Sequence, residues 1–318
     1  MSALDRLARL ITDHSTVLFL GGTDVGKTTL IRQIHERVGG EVVDADLGQA
    51  EIGPPAVISL GTYRGGPRAG YFCGDISPRG SFLEVLTGIH RMQLKSARPC
   101  LIDTDGYIGE GAARAFKSEI LNLVQPDLLV LLQRGGELDY YKLFTQKGVQ
   151  VFDLRVEHPG SKLREERIRA REVAFRSYFA QAQLQSWHLN EVRFERALLG
   201  HGEPLQADAL SRLLGCPVSA GWQTGRQAVI VVRGFASSLG ATKLTLDADY
   251  IQLIHDSDLQ NLLLGCQRGG EFEGMGILTA ISSEQVEVLT PTRRATVLQV
   301  GSLRVRPDGS HGRARLSF

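Results

Sequence analysis

What the 318-residue chain has little of already bounds what it can be. Its four cysteines, Cys73, Cys100, Cys216 and Cys266, are scattered and form no Cys-x-x-Cys pair. That spacing argues against a zinc site or a disulfide framework, and for reduced structural thiols in a cytoplasmic protein. No apolar run approaches the ~20 residues that cross a bilayer. The N-terminal Met-Ser-Ala-Leu-Asp-Arg-Leu-Ala-Arg-Leu-Ile reads as a charged amphipathic helix, too polar for a signal peptide. A soluble chain with no membrane partner is expected. Charge imbalance is missing too: a formal net charge of +1 neither favours nor excludes nucleic acid, so local clusters must decide. There is no internal repeat and no low-complexity segment. The length and the ordinary apolar and charged fractions fit a protein of two domains.

What is present begins at residue 15. An apolar strand, Val17 to Leu20, runs into Gly21-x-x-x-x-Gly26-Lys27-Thr28, and a helical pattern follows with Leu30, Ile31 and Ile34. This is a phosphate loop with strand before and helix after, a context that a chance glycine-rich turn would not need. The glycines let the backbone turn tightly enough for successive N–H groups, from Gly22, Thr23, Asp24, Val25 and Gly26 on to Lys27, Thr28 and Thr29, to face a triphosphate. The helix adds the positive end of its dipole. Lys27 reaches toward the β- and γ-phosphates, and the Thr28 hydroxyl toward Mg²⁺. ATP and Mg²⁺ are the expected cofactors.

Further along, residues 41–49 read as a short apolar strand that ends in carboxylates and a turn, and strands are expected at 56–60, 69–73, 99–103, 128–132 and 149–154. Helices are expected at 82–92 and 112–124, a helical stretch at 140–146, and a long Arg-rich helix at 161–183. Strands alternating with helices predict an α/β fold, a mostly parallel, doubly wound sheet, with ligands at the carboxyl ends of its strands. Residues 1–204 are expected to form this domain and 205–225 a linker with a short helix. Residues 226–318 read as a small β-rich domain, barrel or sandwich, with strands at 228–232, 244–246, 276–281, 285–289 and 297–305. Its Arg-heavy end (Arg293, Arg294, Arg304, Arg306, Arg313, Arg315) has Asp308 as the opposing charge nearby in sequence. It reads equally as a nucleic-acid face and as a solvated surface.

Phosphoryl transfer needs a cradle, Mg²⁺, a carboxylate for the acceptor's proton, and cations over the moving group. Asp46 and Asp103 both end apolar strands; either could sit beside the metal, and Asp46 is preferred as the base, which must reach the acceptor hydroxyl. On the Arg-rich helix, Arg164, Arg167 and Arg171 share a face at about a hundred degrees per residue, suited to closing over a triphosphate. Arg169 and Arg176 instead follow Glu165 and Glu172 by four residues, the spacing of exposed ion pairs.

Taken in order, these motifs resemble the polynucleotide 5′-hydroxyl kinases, the family of the mRNA 3′-cleavage factor kinase subunit, the nucleolar rRNA-processing kinase and their archaeal and bacterial relatives. Gly22 to Thr28 is similar to that family's phosphate loop. Asp44-Ala45-Asp46-Leu47-Gly48-Gln49 resembles its Asp-x-Gly-Gln element, which implies Asp46 as the catalytic carboxylate near Mg²⁺ and Gln49 as a substrate contact. Ser77-Pro78-Arg79-Gly80 resembles its Ser-Pro turn, and Thr104-Asp105-Gly106-Tyr107 its clasp, with Tyr for Trp. Arg167-x-x-x-Arg171 and Arg176-Ser177-Tyr178-Phe179 resemble its lid helix, which implies Arg171 and Arg176 at the transferring phosphate and Arg167, Ser77, Pro78, Arg79, Thr104, Gly106 and Tyr107 about the substrate. The resemblance covers the α/β half. It continues more weakly into the β domain at Leu262 to Gly265 and Gly274 to Ile277. The implied activity is ATP-dependent phosphorylation of the 5′-hydroxyl end of RNA or DNA. The alternative is an ATP-driven switch or assembly factor. A guanine-specific switch is disfavoured, since residues 155–162 offer no Asn/Thr-Lys-x-Asp. No sequence feature points to a protein partner.

Overall fold

The computed structural model of the protein describes residues 2–157 and 163–314. Residues 161–162, at the start of the expected Arg-rich helix, and Arg315 lie outside the described residues. Two compact units divide the chain, Met1–Ala174 and Phe175–Phe318.

The N-terminal unit runs α1 (Ala3–Leu10), β1 (Thr16–Gly21), α2 (Lys27–Val38), β2 (Glu41–Ala45), β3 (Val57–Thr62), β4 (Gly66–Phe72), α3 (Phe82–Lys95), β5 (Cys100–Thr104), α4 (Gly111–Val124), β6 (Leu128–Gln133), a 3₁₀ stretch (Asp139–Lys147) and β7 (Gln150–Arg155). It also takes in the first part of α5 (Arg164–Phe179). The seven strands lie in the order β4-β3-β2-β5-β1-β6-β7. From β2 to β7 all pairings are parallel, and β3 and β4 join as antiparallel strands at one edge.

All six residues of β1 are buried, as a strand covered on both faces must be. Alternation sends Val17 and Phe19 to one side with Leu7, Ile31 and Ile34. Leu18 and Leu20 go to the other with Ile89, Met92, Ile120 and Leu121. Helices α1 and α2 therefore cover one face and α3 and α4 the other, the doubly wound arrangement that the strand–helix alternation predicts. Parallel registry sets Asp44 of β2 opposite Asp103 of β5, and Asp103 opposite Phe19 of β1. Three strand ends thus deliver the phosphate loop and two carboxylate-bearing turns to the carboxyl end of the sheet.

The C-terminal unit corrects several expectations. The division falls at residue 174, within α5, rather than at 204. That helix ends at Phe179 instead of 183, and Gln183–His188 is a strand, β8. Beyond it come β9 (Arg193–Glu195), β10 (Glu203–Pro204), α6 (Ala207–Leu214), β11 (Val218–Thr224), β12 (Gln227–Val232), α7 (Leu239–Thr245), β13 (Tyr250–His255) and α8 (Asp256–Leu259). The unit closes with β14 (Leu262–Arg268), β15 (Glu271–Ile281), β16 (Gln285–Thr290), β17 (Val297–Val305) and β18 (His311–Arg313). Instead of one small barrel or sandwich there are a four-stranded sheet, β10-β11-β12-β13, and a seven-stranded sheet, β18-β17-β14-β15-β16-β8, with β9 paired to β17.

Pairing with distant segments explains these differences. Gln183–His188 becomes a strand because β16 offers it an edge. Val218–Thr224, expected as linker, is held between β10 and β12. Leu244–Leu246, expected as strand, ends a helix whose Thr242 N–H donates to the Ser238 carbonyl. Three residues are too few to set a period of two.

Candidate active site

A cleft of about 1000 Å³ lies at the carboxyl ends of β1, β2 and β5. Its walls are residues 22–29 of the phosphate loop, Asp46, Gly48 to Glu51, Ile76 to Arg79, Asp105 to Tyr107, and the Arg164, Arg167 and Arg171 face of α5. All of these belong to the N-terminal unit. The loop's backbone bends through left-handed values at Asp24 (φ 58°) and at Gly26 (φ 86°), where a Cβ would meet nothing but would be strained.

Lys27 is 6% exposed and donates to Asp103 Oδ1 at 2.5 Å, and the Thr28 hydroxyl donates to Asp103 Oδ2 at 2.9 Å. Burial pulls the Lys27 ammonium down, but Asp103, then Asp46 and Asp105, together outweigh it, and its pKa lies above that of an ordinary lysine. The Asp46 carboxylate accepts from the backbone N–H of Gly48 (3.0 Å) and Gln49 (2.9 Å), a side-chain turn that fixes its direction. Burial raises the Asp46 pKa; Lys27 pulls it back, and Asp105 and Asp103 push it further up. Asp44 turns inward and accepts from Glu51 N–H (2.7 Å) and Ile52 N–H (3.0 Å), pinning the loop after β2. Burial, and then the facing Asp103, push it up to about 7.

The turn after β5 packs directly on the phosphate loop. A Cβ on Gly106 would come within 2.7 Å of the Thr23 nitrogen, so only glycine permits this approach. Tyr107 donates from its hydroxyl to Glu110 at 3.0 Å, and the Arg79 guanidinium sits 4.8 Å from the Tyr107 ring centroid while pairing with Glu110. The Ser-Pro turn is itself braced: Ser77 N–H donates to Asp75 and Arg79 N–H to the Ser77 hydroxyl. Over the loop, Arg167 pairs with Asp24 at 3.2 Å. Burial, then Arg167, lower the Arg171 pKa, while Asp46 is near enough to oppose that.

Most residues singled out in the sequence therefore meet here: Gly22 to Thr29, Asp46, Gln49, Ser77, Pro78, Arg79, Gly106, Tyr107, Arg167 and Arg171. Thr104 does not. It is fully buried, and its hydroxyl donates to the Phe19 carbonyl at 2.9 Å, tying β5 to β1 rather than facing a substrate. Arg176 is exposed, belongs to the C-terminal unit, and is not among the residues lining the cleft. It lies close enough to Asp308 to help lower that carboxylate's pKa. Among the described residues, neither Glu165–Arg169 nor Glu172–Arg176 forms an ion pair.

Sequence reasoning missed Lys117, which is wholly buried and donates to Asp105 Oδ2 at 2.8 Å and to the Asp105 carbonyl at 3.2 Å. It also missed Glu110, the partner of Arg79 and Tyr107. Lys117 left a signal. It stands inside the apolar stripe of α4, with Ala113, Phe116, Ile120 and Leu121, where a charge needs a buried partner.

Residues 21–181 match the model of a family described as the mRNA cleavage and polyadenylation factor CLP1 P-loop. A polyribonucleotide 5′-hydroxyl-kinase of Pyrococcus horikoshii is 30% identical over 93% of this chain and 87% of its own length. One from Methanocaldococcus jannaschii is 28% identical over 92% and 88%. Among solved structures, the wild-type Clp1p–Pcf11p (454–563) complex contains a similar fold, with TM-score 0.58 at 12% identity, covering 95% of this chain and 77% of that one.

Proposed function

This chain belongs to the CLP1 P-loop family, and from that premise we propose that it is an ATP-dependent polynucleotide kinase that transfers the γ-phosphate of ATP to a 5′-hydroxyl end. RNA is the preferred substrate class, in keeping with relatives named polyribonucleotide 5′-hydroxyl-kinases that are similar over most of its length. The observation that carries the proposal is the cleft's pairing of a phosphate loop with a turn-fixed carboxylate, Asp46, close enough to Lys27 for each to shift the other's pKa.

In this reading the 5′-oxygen attacks the γ-phosphorus, its proton passes to Asp46, and the bond from the γ-phosphorus to the β-phosphate oxygen breaks to release ADP. Lys27, Arg167 and Arg171 offset the charge on the moving phosphoryl group. Tyr107 and Arg79 present a flat, polar-edged surface for the first nucleotide, with Gln49 and the Ser77-Pro78 turn beside it. Oxygen donors suit Mg²⁺, which would be held by the Thr28 hydroxyl with Asp46 or Asp103 and would supply charge neutralisation at the phosphates.

The test is incubation with γ-labelled ATP and a 5′-hydroxyl RNA oligonucleotide, with the matched DNA strand in parallel. Label should enter the RNA 5′ end with the unmodified protein and not with Lys27→Ala. ATP hydrolysis with no label in either strand would overturn the kinase reading in favour of an ATP-driven switch.

A further inference from the structure

The C-terminal unit carries a second concave site, about 510 Å³, built by the β14–β15 hairpin and the loop between β16 and β17. Its lining is Arg268, Glu273, Pro291, Thr292, Arg293 and Arg294. Three arginines and one glutamate therefore line a single hollow.

The loop that presents two of them is anchored. The Thr290 hydroxyl donates to the Met275 carbonyl at 2.8 Å and accepts from Thr292 N–H at 3.0 Å. The Thr292 side chain is buried and its hydroxyl donates to the Glu273 carbonyl at 3.4 Å. Arg268 closes β14 opposite Glu271, across the two-residue turn at Gly269 and Gly270. The backbone is pinned, and the charged tips remain exposed.

Four other arginines of this unit are paired with carboxylates, Arg193 with Glu195 among them, while Arg176, Arg212 and Arg306 show no ion pair among the described residues and do not line the hollow. Arg226 pairs with Asp247 and Asp249, Arg233 with Asp256, and Arg304 with Asp258. Arg304 belongs to the Arg-heavy end by sequence, but its partner lies far back in the chain, which removes it from any free basic face. Among the described residues, the side chains of Arg268, Arg293 and Arg294 have no ion-pair partner. Three arginines against the one carboxylate of Glu273 give the lining of the hollow an excess of positive charge, which suits anions with oxygens at several points, the pattern of a phosphodiester backbone.

We propose that Arg268, Arg293 and Arg294 form a backbone-phosphate site for single-stranded polynucleotide, separate from the cleft that takes the 5′ end. This rests on the reading of the substrate as a polynucleotide. It assigns the C-terminal unit a role in retaining long strands, with no base preference of its own.

The test uses the full chain and the variant R268Q/R293Q/R294Q, whose changes are at exposed positions. Binding of a 20-nucleotide 5′-hydroxyl RNA is followed by fluorescence anisotropy from 50 to 300 mM salt, and phosphorylation of a 5′-hydroxyl dinucleotide is measured beside it. The variant should bind the 20-mer about 10- to 100-fold more weakly, with a log–log salt slope shallower by about two, since each single-strand phosphate that is neutralised adds ~0.7 to the slope. Dinucleotide phosphorylation should be unchanged. Glu273→Gln, which removes the carboxylate in the hollow, should tighten 20-mer binding. Unchanged affinity and slope in the triple variant overturn the proposal and leave the hollow to another anionic partner, such as an acidic peptide. A 20-mer held no tighter than the dinucleotide overturns it as well. A length-dependent loss of binding in a protein that phosphorylates neither substrate keeps this site and removes the kinase reading, so the two failures are distinguishable.

Discussion

Lys27 is buried, yet its ammonium is favoured, because three carboxylates at neighbouring strand ends compensate for the lost water. The same neighbours act on Asp46, the base proposed above. Burial raises its pKa above the ordinary 3.8, which strengthens it as a proton acceptor, while the Gly48 and Gln49 N–H groups keep its oxygens aimed. Asp46→Asn should lower kcat by about 10²- to 10⁴-fold, the range for loss of a positioned general base, with little change in ATP affinity. A single-turnover assay alongside ATP titration separates the two. As the proposed base, Asp46 would act as the carboxylate, so kcat should fall as pH drops through a midpoint above 3.8, and the Asn variant should lack that limb.

Elements matter here for what they hold in place. Helix α4 reaches back through Lys117 to Asp105, and so sets the turn whose Gly106 lies against Thr23 and whose Tyr107 faces the cleft. Breaking a buried pair leaves one charge stranded. Lys117→Met should therefore cost about 3–5 kcal/mol in urea unfolding, and the double variant K117M/D105N should recover much of it. A loss under ~1 kcal/mol in the single variant would mean the pair is not bracing the turn. Helix α5 shows how a helix can serve two purposes along its length. Arg164, Arg167 and Arg171 line the cleft, whereas Phe175 and Phe179 are buried and the Tyr178 hydroxyl accepts from Met275 N–H at 2.7 Å within the C-terminal unit. Hydrophobic periodicity finds the helix. It cannot assign the two ends to different units, because that depends on which distant surfaces each end meets.

At the scale of the molecule, each unit has its own buried core, and the nucleotide cleft belongs to the first alone. A ligand that binds only the folded N-terminal unit stabilises that unit by mass action. At a hundred times its Kd, ATP with Mg²⁺ should add about 2.7 kcal/mol to that unit's unfolding free energy, read as a rise in its thermal midpoint by calorimetry. Lys27→Ala should abolish the rise. The C-terminal unit's two sheets rest on pairings across long separations in sequence, such as β8 with β16 and β9 with β17. That is why its strands are only partly legible in the sequence.

The sequence by itself determined the phosphate loop, the alternating α/β order of the first unit, and the presence of Asp46 and the Arg164–Arg167–Arg171 face. These follow from local spacing: a glycine pattern after an apolar strand, a period of two or 3.6, a carboxylate just past a strand. Tertiary structure decided the rest. It set Asp103 rather than Asp46 against Lys27 and Thr28, buried Thr104 against Phe19, and paired Lys117 with Asp105. It also gave Arg304 to Asp258 and set Arg268, Arg293 and Arg294 around one hollow. Each outcome is a choice of partner across the fold, set by which strands lie side by side and which groups burial forces to find one another. The loop at residues 21–28 announced a triphosphate site; the carboxylates packed behind it decide how that site is charged.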